Sequence, residues 1–349
     1  RYLKNALILS TYYEAGSGME QKKQFSFLKV LDGHGTHVWN DYNNNGVEEI
    51  NEFEIAAFQD QANYVKVWIA SNDFINTYNT QFTQKIQFRP ANLWRHKKGF
   101  LKFLSRFSNL ASLRIAQKNT LLPIFKALNP FNFNIKDSNV VSNNLNFINT
   151  LSFNQNSSIW GIDYTYKVLQ NKVLNFYGSE ASSTIYHDFL CRVKPINPLL
   201  LKFNYIYDCS KRLSSAFQIN NFTIVSHTAM VSMLINHSKP IDWSVQYLFS
   251  WQNNLIGEEK NLKNSVRFDL NYRMARRGVI GVRLQYLNLK FLGDENMNVA
   301  YQMLEGFRKG HNLSWYINMQ TNLSEFLQLD LKYEGRVSQH SKIIHLGML

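Results

Sequence analysis

The chain has 349 residues, with 38 Lys+Arg against 25 Asp+Glu for a formal net charge of +13, and it is 45% hydrophobic and 14% aromatic. Its 25 Phe, 18 Tyr and 7 Trp supply enough apolar surface to offset ordering entropy, which excludes intrinsic disorder, and Cys191 and Cys209 are too few for a disulfide scaffold. No window nears about 18 consecutive apolar residues, so no transmembrane helix is expected, and the length allows about two domains.

Arg1 is not an initiator Met, and Arg1 to Tyr13 reads as a strand rather than a signal peptide. At the other end, Lys342 to Leu349 also reads as a strand, so a segment of a longer protein is expected. Gly16-Ser17-Gly18 reads as a turn, Phe25 to Leu31 and Thr36 to Trp39 as short strands, and Glu52 to Ala62 as a short amphipathic helix. Trp94 to Phe107 is basic and amphipathic, between early strands at Thr80 to Arg89 and Phe107 to Lys118. The organisation expected is 1–79 as a strand plus calcium-loop element, 80–142 as early strands and basic loop, and 143–349 as barrel strands.

From about residue 143 the pattern has period two. Val266, Phe268, Leu270, Tyr272 and Met274 alternate with Arg267, Asp269, Asn271 and Arg273; Trp243, Val245, Tyr247, Phe249 and Trp251 alternate with Ser244, Gln246, Leu248 and Ser250. Leu313, Trp315, Ile317 and Met319 repeat the pattern, as do Leu327, Leu329, Leu331 and Tyr333. Punctuators separate the runs at Asn154 to Ser158, Pro195 to Pro198, Asn236 to Pro240, Asn253 to Leu262, Gly293 to Asn296 and Asn322 to Ser324. The runs number roughly fourteen after residue 143, of about 10 to 13 residues each, longer than the soluble average of about 5 to 6. Trp243 to Trp251 is eight steps of about 3.3 Å, which brackets an apolar row of roughly 26 Å with aromatics, as a bilayer-spanning strand requires. The fold class expected is therefore all-β, a transmembrane antiparallel up-and-down β-barrel of about 14 to 16 or more strands with its charged face turned to a wet lumen. A soluble β sandwich is the competing architecture.

The sharpest motif is Asp41-Tyr-Asn43-Asn-Asn45-Gly46-Val47-Glu-Glu49-Ile-Asn-Glu52. It meets the twelve-residue calcium loop at every position: side-chain oxygens from Asp41, Asn43 and Asn45, a glycine for the sharp turn, the Val47 carbonyl, Glu49 directly or through water, and Glu52 closing with two oxygens. A hard cation wants six to eight oxygens, and this spacing supplies them. Ca2+ is the ligand expected, in a structural role.

An overlapping motif, Asp32-Gly-His34-Gly35-Thr36-His37-Val38, resembles the active-site histidine segment of subtilisin-like proteases. The likeness breaks at Trp39 and Asn40, and neither a Gly-Thr-Ser nucleophile nor an upstream Asp motif occurs, so no triad and no enzyme is expected. His34 and His37 lack a third ligand for a transition metal. Arg95-His-Lys-Lys98 with Lys102 and Arg106, interleaved with Trp94, Phe100 and Phe103, suits lipid phosphates or a solvated rim equally. No nucleic-acid reader fold appears, so no nucleic-acid partner is expected. The two cysteines fall out of register for a bridge, Cys191 lying opposite about residue 202.

Tyr13-Glu-Ala-Gly-Ser-Gly18, Phe25-Ser-Phe-Leu-Lys-Val30, Gly35 to Trp39, the calcium loop, Glu52-Phe-Glu-Ile-Ala56 and Gln59-Asp-Gln-Ala-Asn-Tyr64 together resemble the C-terminal part of large, largely uncharacterised outer-membrane proteins of Bacteroidota, of flavobacterial type. The resemblance implies a bacterial outer-membrane location, lipid or lipopolysaccharide as surroundings, and association with envelope proteins of a secretion or barrel-assembly complex. The function expected is a non-enzymatic barrel acting as channel or scaffold; a TonB-dependent type of transporter and a soluble secreted adhesin are the alternatives.

Overall fold

The computed structural model describes residues 3–69, 72–120, 124–131, 137–236, 240–274, 278–324, 326–339 and 341–348. After β1 (Leu7–Gln21) come four short strands, β2 (Gln24–Lys29), β3 (His37–Trp39), β4 (Phe53–Ile55) and β5 (Tyr64–Ile69), then β6 (Phe74–Phe88) and β7 (Phe107–Asn119). The rest is β8 (Val140–Phe153), β9 (Trp160–Asn175), β10 (Gly178–Ile196), β11 (Leu199–Ser214), β12 (Phe222–Asn236), β13 (Ile241–Asn254), β14 (Lys260–Met274), β15 (Gly278–Leu292), β16 (Gly310–Asn322), β17 (Gln328–Ser338) and β18 (Ile344–Met348). Short helices are α1 (Ala91–Trp94), α2 (Phe100–Leu104), α3 (Ile124–Ala127) and α4 (Asn298–Leu304); among the described residues no helix is long and apolar enough to cross a membrane.

Fourteen strands form one antiparallel up-and-down sheet in the order β1-β6-β7 and then consecutively to β18. The all-β, up-and-down architecture is therefore as expected. The sheet is open, with β1 and β18 at its two edges, so a closed barrel is not the observed arrangement. The remaining strands form a separate four-stranded sheet, β2-β5-β3-β4. This small sheet is an insertion into one long hairpin, because β1 and β6 pair without interruption from Leu7↔Phe88 to Gln21↔Phe74.

Several local expectations are corrected. Gly16 to Gly18 is extended within β1, where an added Cβ at Gly16 or Gly18 would meet nothing within 4 Å. No helix spans Glu52 to Ala62: Phe53 to Ile55 pairs with β3, and only three-residue 3-10 turns flank it at Ile50–Glu52 and Gln59–Gln61. Backbone pairing to a neighbouring strand outweighs a helical apolar spacing that covers barely two turns. Among the described residues, strands after residue 143 number eleven, β8 to β18, rather than about fourteen. Those from β6 to β16 run 13 to 19 residues because they continue past the apolar rows into polar sequence. Thus Asn253, Asn254 and Lys260 to Leu262, read as loop, are paired strand residues. Of the turn expected at Asn236 to Pro240, positions 237–239 lie outside the described residues, as do positions 1–2 and 349 of the terminal strands. Cys191 stands opposite Phe203, one step from the expected position, and Cys209 opposite Ile185; both thiols are free.

Cross-strand partners share a face, so the pairing sorts the side chains. One row reads His187↔Tyr207↔His227↔Trp251↔Leu262 across β10 to β14; the next row, on the other face, reads Asp188↔Ile206↔Thr228↔Ser250↔Lys263. The apolar face is the exposed one. Tyr247 and Trp251 are 46% and 40% exposed, whereas Ser250 and Asn254 on the opposite face are each 4% exposed. Phe203, Tyr205, Val231, Val266, Leu284 and Leu313 are likewise exposed, while Ser226, Asn261, Lys263, Ser265 and Asn312 are buried. This inverts the usual assignment of apolar side chains to the interior.

Among the described residues, four Tyr–His pairs cross the exposed face diagonally: Tyr164 with His187 at 2.8 Å, Tyr205 with His227 at 2.8 Å, Tyr286 with His311 at 2.6 Å and Tyr333 with His345 at 2.7 Å. Each joins a phenol oxygen to an imidazole Nδ1 on the next strand, two residues from the directly opposed position. Toward the end that carries the insertion, the same face then turns polar, with Lys211 after Tyr205 and Asn288 and Lys290 after Tyr286.

At that end the polar face is covered. From α4, Val299 and Met303 pack on Phe222 and Ile224, and Ala300 and Leu304 on Leu289. Burying a side chain such as Met303 contributes about 1.5–3 kcal/mol, so this small apolar cluster anchors the β15–β16 connection over the strands.

Candidate metal centre

The calcium-loop sequence forms the connection of the β3–β4 hairpin. His37, Val38 and Trp39 pair with Ile55, Glu54 and Phe53, and Asn40 N–H closes the loop by donating to the Glu52 carbonyl at 3.0 Å. The connection is therefore strand–loop–strand, not strand–loop–helix.

Within the loop the donors curl inward. Asp41 Oδ1 accepts from the Asn45 N–H at 3.1 Å and Oδ2 from the Gly46 N–H at 2.8 Å. Asn43 Oδ1 accepts from the same Asn45 N–H at 3.0 Å, and Asn45 Oδ1 from the Val47 N–H at 2.6 Å. Asn43 Nδ2 donates to Glu49 Oε2 at 2.9 Å. Positive φ at Asn44 and Gly46, 56° and 72°, makes the sharp bend that the glycine position anticipates. Asp41, Asn43, Asn45 and Glu49 are thus brought into one hydrogen-bonded ring, with Val47 exposed at its edge.

Glu52 sits apart at the base and is 1% exposed. Its Oε2 accepts from Trp39 Nε1 at 2.8 Å and from the Glu49 N–H at 3.4 Å, while Oε1 is buried without a hydrogen-bond partner. A buried carboxylate oxygen with no donor is costly unless something else satisfies it. The set offers oxygen only, which suits a hard divalent cation. Among the described residues, no three His, Cys, Asp or Glu side chains converge as a metal-holding group.

The protease-like histidines have another use. Gly35 N–H donates to the Ala62 carbonyl at 2.7 Å and Thr36 N–H to the Tyr64 carbonyl at 2.8 Å. A Cβ on Gly35 would lie 2.6 Å from both N and O of Tyr64, so the glycine is there to let β5 pass. His37 Nδ1 meets Thr36 Oγ1 at 2.8 Å, and burial together with the nearby Lys66 charge holds its pKa below the ordinary value.

Ion pairs and hydrogen bonds fasten the small sheet to the polar face of the large one. Arg212 on β11 meets Glu54 Oε2 at 3.4 Å, and Gln302 of α4 reaches the same oxygen at 3.5 Å. Arg336 on β17 grips both carboxylate oxygens of Asp60, one at 2.7 Å, with its guanidinium 3.8 Å from the Phe58 ring centroid. Tyr301 accepts from the Ala57 N–H at 2.7 Å and donates to the Ile55 carbonyl at 3.2 Å; Asn220 donates to the Asn51 carbonyl at 3.0 Å. Burial raises the Glu54 carboxyl against the opposing pull of Arg212. Tyr64 is pushed up to about 12 by burial and by its hydrogen bond to Glu48, so it remains a donor there.

Arg212, Arg336, Tyr301 and Gln302 carry this docking, and sequence reading did not single them out for it. For Arg212 and Arg336 the only local signal is membership of polar rows in period-two strands; Tyr301 and Gln302 lie on the short α4, where no such pattern marks them. A groove of about 650 Å³ remains between Trp39, Asp41 and Tyr42 on the loop side and Tyr301, Phe307 and Arg308 on the β15–β16 connection. No family model, no curated protein and no solved structure matches the chain.

Proposed function

We infer that the large sheet is wall of a transmembrane β-barrel in a bacterial outer membrane, with lipid on its apolar face, and that the protein is a non-enzymatic scaffold in an envelope complex. The observation that carries this is the inversion of the sheet: aromatic and aliphatic rows outward, buried Ser, Asn and Lys inward. Lipid rewards that arrangement and water penalises it. The Tyr–His pairs support an interfacial level, since amphipathic rings collect where an apolar band ends. The two longest connections, 22–73 and 120–139, lie at one end together with 293–309, while the other end carries 89–106 and otherwise short turns, an asymmetry in the sense of barrels whose long loops face outward. Scaffold is favoured over open channel because the small sheet is pinned across the polar face by Arg212 and Arg336. Planar-bilayer recording on detergent-extracted protein tests this: absence of steady conductance is expected, and a stable open pore overturns the scaffold in favour of a channel.

Within this reading Asp41, Asn43, Asn45, Val47, Glu49 and Glu52 hold Ca2+, which braces the β3–β4 hairpin. The orphaned Glu52 Oε1 and the all-oxygen donor set support it. Calcium at a hundredfold its dissociation constant should stabilise the hairpin's unit by about 2.7 kcal/mol. Scanning calorimetry with calcium and then with chelator is expected to show a lowered melting transition after chelation, and Glu52→Gln to abolish that difference. An unchanged transition in the natural sequence sinks the calcium reading.

A further inference from the structure

We propose that the cleft beneath α1 and α2, at the end of the sheet opposite the insertion, binds the phosphate of an anionic phospholipid headgroup. The site rests on the membrane reading above and adds a ligand to it. Residues 89–106 carry Arg89, Arg95, Lys97, Lys98, Lys102 and Arg106 with no Asp or Glu, whereas residues 22–73 at the other end hold eight carboxylates against four lysines. The charge of the chain is therefore polarised along the strands.

The cleft measures about 600 Å³ and is lined by Arg89, Arg95 and Arg106 together with Asn92, Asn154 and Ser157. Its walls are tied down: Arg89 N–H donates to the Ala6 carbonyl at 2.7 Å, Asn92 Nδ2 to the Asn5 carbonyl at 3.0 Å, and Asn154 N–H to the Arg106 carbonyl at 3.0 Å. Among the described residues neither Arg95 nor Arg106 has a carboxylate partner. Arg95 and Arg106, lining one cleft without acid partners, suit an oxyanion with several acceptor oxygens.

Lipid rather than free phosphate is indicated by what adjoins the cleft. Phe103 of α2 packs 5.5 Å from both Phe107 and Phe153, and Phe153 packs 5.5 Å from Trp160, so α2 continues the aromatic edge of the outward face. Phe100, Leu101 and Phe103 themselves stand exposed beside the arginines. Apolar side chains at acyl level next to cations at headgroup level match an anionic phospholipid along its length.

The test uses vesicles of equal phosphatidylcholine and phosphatidylglycerol. Protein is reconstituted, re-extracted in neutral detergent, and its retained lipid counted by native mass spectrometry. The natural sequence is expected to retain phosphatidylglycerol over phosphatidylcholine, and the Arg95→Gln/Arg106→Gln variant to lose that retention by roughly tenfold. Both changes are at exposed side chains. A charge-matched Lys126→Gln/Lys309→Gln variant, altered at the opposite end, should retain the lipid. Equal retention in the arginine variant, equal loss in the control, or displacement of the lipid by millimolar inorganic phosphate each overturns the proposal. Entry into vesicles without phosphatidylglycerol retention removes the site alone; failure to enter vesicles at all removes the membrane reading and the site with it.

Discussion

Arg212→Ala is expected to destabilise the docked small sheet by about 3 kcal/mol, the lower end of the cost of stripping a partner from a buried ion pair, because Arg212 keeps 32% of its side chain exposed. Glu54, whose side chain is 3% exposed, would be left with only the long contact from Gln302. The pH dependence has a definite sign. Burial raises the folded carboxyl of Glu54 above its ordinary value of 4.5, so its contribution to stability is full below that value and is lost as pH rises through the folded pKa. Removing Arg212 takes away the charge that opposes the rise, moving that pKa further up. The deficit of the Arg212→Ala variant should therefore be largest near neutral pH and shrink toward about pH 4. Glu54→Gln added to it should restore most of the loss, since a neutral amide has no charge to strand. Chemical unfolding followed by Trp39 fluorescence at several pH values measures all three; a pH-independent deficit would show that the pair contributes packing only.

A second large effect separates lipid from water on the outward face. Val231→Arg places a charge on β12 among outward side chains and should cost about 2–4 kcal/mol in vesicles. Ser244→Arg on the neighbouring strand points inward, opposite Asp269, and should cost little. If the outward face met water instead, Val231→Arg would fall within about 0.5 kcal/mol of the natural sequence, as exposed substitutions do. Folding yield and urea unfolding in vesicles, read against detergent-free solubility, decide between them. Equal tolerance of both substitutions, with recovery in detergent-free buffer, would end the outer-membrane reading.

Particular residues show why some features are legible locally and others are not. Trp243, Val245, Tyr247, Phe249 and Trp251 announce a two-faced strand because a side-chain period of two is a property of the backbone itself. The spacing of Asp41, Asn43, Asn45 and Gly46 announces a tight oxygen-rich turn for the same reason, since the contacts that curl these donors inward span at most five residues. Phe53 to Phe58 misleads because its spacing suits a helix equally well, and pairing with His37 to Trp39 decides the matter. Strand ends mislead too: Asn253, Asn254 and Lys260 look like loop by composition, yet their backbones pair within the large sheet.

The amino-acid sequence alone thus determined the all-β character, the two faces of the strands and the donor chemistry of the loop, each written into spacings of a few residues. Only the tertiary structure decided that the polar face is covered, that the loop joins two strands, that the small sheet lies within the β1–β6 hairpin, and that the fourteen-strand sheet stays open between β1 and β18. The physical reason is distance along the chain. Glu54 meets Arg212 across 158 residues and Asp60 meets Arg336 across 276, and partners so far apart leave no periodic trace in either local stretch.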